Sequence, residues 1–152
     1  MKIWVDADAC PGVIKEIIFK AAQRTKIHTT LVANHAMRIP PSEFIKFVNV
    51  PSGFDVADDE IVKRIESGDL LISSDIPLSD EAIDKGATVL SPRGELLTKE
   101  NIRARLNMRD FLDTLRSSGV DTGGQAAMNH GDRQQFANEL DKILSRFLKV
   151  KK

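Results

Sequence analysis

An alternation of short apolar runs with amphipathic, helix-length segments, sustained through residue 91, is the strongest constraint on the fold. Residues 2–6 (KIWVD), 27–33 (IHTTLVA), 44–50 (FIKFVNV), 70–73 (LLIS) and 88–91 (TVLS) read as strands. After the first run, Val13, Ile14, Ile17, Ile18, Ala21 and Ala22 fall in pairs spaced by four, which is one face of a helix. Pro11 suits the first turn of that helix, where a missing N–H has no partner to lose. A crossover that holds one helix makes the strands on either side parallel. Ile61, Val62 and Ile65 mark a second helix, stopped by Gly68, and Ser79 to Lys85 form a shorter one ended by Gly86. The pattern predicts a three-layer α/β/α fold, with a parallel central sheet of four or five strands between helices.

The last third reads differently. Ile102, Leu106, Phe111, Leu112 and Leu115 suggest one or two helices over roughly 98–117. The stretch SSGVDTGGQAAMNHGD, 117–132, reads as a long loop. Phe136, Leu140, Ile143, Leu144, Phe147 and Leu148 then make an apolar stripe on a closing helix. No linker splits the chain, so residues 1–152 read as one domain with a helical extension from about 93. One cysteine excludes an intramolecular disulfide and a cysteine zinc cage. No apolar run approaches the roughly 18 residues of a membrane span, and the start lacks a leader's apolar stretch. A cytoplasmic protein without a membrane partner is the expectation.

Ligands of an open parallel sheet bind at the carboxyl ends of its strands. Strand one delivers Asp6 and Asp8 there, and strand four delivers Ser73, Ser74 and Asp75. The helix before strand four opens with Asp55, Asp58, Asp59 and Glu60. Carboxylates that converge in one cleft raise one another's pKa unless a cation sits among them. A hard ion such as Mg²⁺ takes oxygen ligands, and suits water attack on a phosphodiester. Alternating positions on one strand project to one side, so Asp6 and Asp8 are expected to reach the same ion. Capping and the helix dipole offer a plainer account of Asp55, Asp58, Asp59 and Asp80. That account reaches Asp6 and Asp75 less well, since both end buried strands.

The stretches WVDADACP, GFDVADDEIV, SDIPLSDEAIDKGA with SPRGE, and MRDFLDTLRSSGVDTGG with DRQQFA resemble the bacterial YaiI/YqxD family. The resemblance covers nearly the whole chain. It departs at TGGQ, where TGGP is expected. That family, uncharacterised, is regarded as PIN-like, akin to metal-dependent ribonuclease domains. The resemblance implies strand order 3-2-1-4-5 and a Mg²⁺- or Mn²⁺-dependent phosphodiesterase acting on nucleic acid, specifically RNA. It implies Asp6, Asp8, Asp58 and Asp75 as catalytic ligands, direct or through water, with Asp55 and Asp59 as supporting or alternate metal ligands. Ser73 and Ser74 would orient ligands or water, and Arg93 and Arg109 would hold phosphate.

Two other activities compete. A non-catalytic RNA- or nucleotide-binding module on the same scaffold would keep the basic residues and need no metal. DADAC also resembles the DxD motif of haloacid-dehalogenase-type phosphatases. There an acidic pair should follow the serine, whereas Asp58–Asp59 precedes Ser73. An interaction protein whose acids only cap helices is the third alternative.

Lys plus Arg equals Asp plus Glu at 22 each, so only local charge bears on a polyanionic partner. Residues 93–116 carry Arg93, Lys99, Arg103, Arg105, Arg109 and Arg116, and Arg38 follows strand two. Cys10 is expected to be a packed, inert thiol, and Trp4 a core residue. His28, His35 and His130 lack metal-ligand spacing and receive no role.

Overall fold

The computed structural model describes residues 1–53, 56–104 and 130–151. Six strands form one sheet: β1 (Ile3–Asp6), β2 (Thr29–Ala33), β3 (Ile45–Asn49), β4 (Leu70–Ile72), β5 (Thr88–Leu90) and β6 (Leu96–Leu97). Their order is β3-β2-β1-β4-β5-β6. The first five are parallel, in the order expected. β6 adds an antiparallel edge, so the sheet is mixed. Two residues are too few to show a period, so β6 has no signature in the sequence. The turn before it closes with Gly94 N–H donating to Ser91 O at 2.9 Å.

Helices α1 (Gly12–Thr25), α2 (Val56–Arg64), α3 (Ile76–Asp84) and α4 (His130–Lys151) cover the sheet. Residues 99–104 are also helical. The remainder of the helix expected over 98–117 lies outside the described residues, as does 117–129. Residues 130–132, read as the end of that loop, are instead the first turn of α4. Among the described residues, no helix is long and apolar enough to cross a membrane.

Strand alternation splits the interior in two. Ile3, Val5, Leu31, Leu70 and Ile72 face α1 and α4, where Ile14, Ile18, Phe136, Leu140 and Leu144 meet them. Trp4, Val32, Leu71 and Val89 face the α2–α3 side and pack with Ile61, Leu78 and Ala82. Trp4 is therefore core, as expected.

A buried carboxylate at the amino edge fixes the pairing of β1 with β4. Asp69 accepts hydrogen bonds from Lys2 N–H, Glu66 N–H and the Trp4 indole N–H, each at 3.0 Å. These bonds hold Leu70 beside Ile3 and Ile72 beside Val5, a register that carries Asp6 alongside Ser73 at the opposite edge. Asp69→Ala strips three donors of their acceptor, one of them the indole N–H of a buried tryptophan. It is expected to cost about 3 kcal/mol in urea unfolding. A loss below about 1 kcal/mol would show that the carboxylate is not what sets this register.

Candidate functional site

From β1 the chain moves to β2 and β3 on one side, then returns through β4 to the other. The β1/β4 boundary is therefore the switch point of the sheet, the place beyond the strands' carboxyl ends where open α/β sheets bind their ligands. Asp6 ends β1 at that point. The Ser73 hydroxyl donates to Asp6 Oδ2 at 3.1 Å, and Asp75 N–H donates to Ser73 Oγ at 3.0 Å. Ser73, fully buried, thus links the two aspartates.

Asp6 is only 6% exposed. Burial is the main cause that pushes its carboxyl from 3.8 up to about 6. The Ser73 hydrogen bond opposes the shift, while the charges of Asp75 and Asp8 add to it. Asp6, Asp8 and Asp75 thus share one electrostatic neighbourhood.

Asp75 does more capping than its strand-end position suggested. α3 begins at Ile76, three residues before Ser79, so Asp75 occupies the N-cap. Its Oδ1 accepts from Leu78 N–H at 3.0 Å. Pro77, in the first turn and ahead of the Ser79 start expected from sequence, fits a helix start because no N–H is needed there.

Asp8 departs further from expectation. β1 stops at Asp6, and Ala7–Ala9 form a 3-10 turn, so strand alternation does not carry Asp8 to the side of Asp6. One Asp8 oxygen accepts from Asn34 N–H at 2.9 Å, and the other pairs with His35 Nδ1 at 2.6 Å. His35, given no role from sequence, therefore belongs to this corner. Its position just after β2, at the same sheet edge, was the available signal.

Asp58 is half-buried in the first turn of α2. Asp59, in the same turn, is exposed. Asp55 and Arg109 lie outside the described residues. Ser74 is exposed. Among the described residues, no group of three or more Asp, Glu, His or Cys side chains is arranged to hold a metal ion. Asp6, Asp8 and Asp75 share a corner without forming a ready-made cage.

Arg93 stands at the carboxyl edge of β5, but its Nη1 pairs with Asp132 Oδ2 at 2.8 Å. This contact ties the β5–β6 turn to α4. Asp80 lies within α3 and pairs with Lys99 at 2.7 Å. Cys10 is buried beside the corner, and burial pushes its thiol up to about 12, with Lys15 opposing and Asp6 adding. It stays a neutral, packed thiol at ordinary pH, as expected.

Comparison with known proteins agrees along the length of the chain. Residues 4–146 match a family model described as an uncharacterised bacterial group, the YaiI/YqxD family. A UPF0178 protein of Colwellia psychrerythraea is 71% identical over 150 residues, covering 99% of both chains. One from Shewanella sediminis is 65% identical over 150 residues, covering 99% of this chain and all of the relative. One from Hydrogenovibrio crunogenus is 67% identical over 147 residues, covering 97% of each. No solved structure matches.

Proposed function

The chain belongs to the uncharacterised YaiI/YqxD family, and from that premise we propose that it is a divalent-cation-dependent phosphodiesterase acting on RNA. The observation that carries this reading is the Ser73-bridged pair of Asp6 and Asp75 at the β1/β4 switch point.

The donor chemistry suits Mg²⁺ or Mn²⁺. Such ions are commonly bound by one or two carboxylates and keep several waters, so a full protein cage is not required. Asp6 Oδ2 and Asp75 Oδ1 are taken by hydrogen bonds, and the second oxygen of each has no hydrogen-bond partner among the described residues. Asp6 and Asp75 would hold the cation directly, with Asp8 and Asp58 acting through water and Asp55 and Asp59 as alternates. A cation held there stabilises the negative charge that builds on a phosphodiester during hydrolysis. Ser73 keeps the Asp6 carboxylate oriented and excludes water from one side of it. His35 and Asn34 hold Asp8 in place at the rim.

The test is cleavage of end-labelled single-stranded RNA by purified protein with Mg²⁺ or Mn²⁺. Asp6→Asn is expected to reduce the rate about 100-fold or more, the usual cost of losing one group that stabilises transition-state charge. Cleavage unchanged in that variant would contradict the reading. RNA binding without cleavage, undiminished when both aspartates are neutralised, would instead establish the non-catalytic binding module.

A further inference from the structure

With Arg93 engaged by Asp132, the β1/β4 corner needs another source of positive charge to hold a run of phosphates. On the opposite face of the sheet, α1 and α4 leave two adjoining cavities of about 340 and 270 Å³ between them. Ile17, Lys20 and Ala137 line both, so the two form one groove. Ala137 carries too small a side chain to fill it.

The charges in the groove differ in commitment. Arg24 is paired with Asp141 at 2.5 Å. Lys20 and Arg133, which both line the smaller cavity, make no ion pair or hydrogen bond among the described residues. Glu16 is the acid beside them, and His130, in the first turn of α4, adds the positive end of that helix's dipole. This end of the groove lies toward the carboxyl edge, because α1 begins just after β1 and the Ala7–Ala9 turn.

We propose that the α1–α4 groove takes the sugar–phosphate backbone of a single RNA strand that extends from the Asp6–Asp75 corner. This inference rests on the function proposed above. The strand passes over the Ala7–Ala9 turn and sets its phosphates on Lys20 and Arg133, with its apolar faces on Ile17 and Ala137. Packed helices have axes about 8–10 Å apart, so a groove between them admits one strand and not a duplex.

Binding of a short fluorescein-labelled oligouridylate, followed by anisotropy in EDTA over a range of salt, tests it. Lys20→Gln combined with Arg133→Gln is expected to weaken binding roughly tenfold. The slope of log affinity against log salt should become shallower by about 1.4, the value for two lost contacts to a single strand. Unchanged affinity and slope, with the parent protein still cleaving RNA, would overturn the groove alone. A parent protein that neither binds nor cleaves RNA would overturn the groove and the function beneath it. Sedimentation that shows a dimer dissociating in the double variant would overturn the proposal by making the groove an interface between copies.

Discussion

Asp6→Asn is expected to be more stable than the parent protein at pH 7.5 without divalent cations, by about 2–3 kcal/mol. The direction follows from the folded-state pKa of Asp6, raised from 3.8 to about 6, chiefly by burial. Between those two pH values the folded protein keeps a proton that the unfolded chain has released. Stability from this group is therefore complete below about pH 4, falls as pH rises toward 6, and stays low above it. Each pK step is worth about 1.4 kcal/mol, which sets the size of the effect. Asparagine has the same shape, carries no charge, and still accepts the Ser73 hydrogen. Denaturant unfolding between pH 4 and 8 should show the parent losing about 2–3 kcal/mol relative to the variant. Parallel curves would contradict the burial of a charged Asp6. Mn²⁺ at about 100 times its Kd should cancel the difference, stabilising the parent by about 2.7 kcal/mol, and at about 1,000 times its Kd, where the gain is about 4.1 kcal/mol, it should reverse the ranking. A side chain that costs stability until its ligand arrives is the pattern expected of a binding residue rather than a structural one.

Phe136→Ala is expected to destabilise the protein by about 3–5 kcal/mol. Phe136 is fully buried among Ile14, Leu31 and Leu140, in the core between the sheet and α1 and α4. Truncation removes the ring's transfer energy and leaves a cavity that packed helices close only in part. Its backbone is also held closely. Gly94, at φ +84, lies so near α4 that a Cβ there would come within 2.6 Å of Phe136 N. Gln135 Nε2 donates to Gly94 O at 3.2 Å beside it. The β5–β6 turn and α4 should therefore loosen together. The Asp6–Ser73 and Asp75–Leu78 hydrogen bonds do not involve Phe136, so the folded fraction should bind Mn²⁺ with unchanged affinity. Unfolding midpoints and calorimetry in the cold check the two halves separately. A loss under 1 kcal/mol would mean that α4 is not anchored through this ring.

How much of this was legible in the sequence depended on the distance between cause and effect along the chain. β1 to β5 and α1 show their period within a few residues, and each lies close to where the pattern put it. The strand order that the family resemblance implied puts the switch point between β1 and β4, and Asp6 and Asp75 lie at the ends of those strands in the structure. Asp8 was misplaced because the strand ends at Asp6, two residues short of it, and gives way to a 3-10 turn. Asp69 and Trp4 are 65 residues apart, Asp8 and Asn34 are 26 apart, and Arg93 and Asp132 are 39 apart. No local pattern announces such pairs. Arg93 therefore read as a free phosphate ligand, and Asp69 as an unremarked acid before a strand.

The central claim, that Asp6 and Asp75 gather around one cation where β1 and β4 part, is tested most directly by anomalous scattering from a crystal soaked in Mn²⁺. The expected result is a single strong peak within coordination distance of both carboxylates, lost in Asp75→Asn. A map with no peak there, the Asp6 carboxylate still bonded only to Ser73 and the Asp75 carboxylate only to Leu78 N–H, would contradict it.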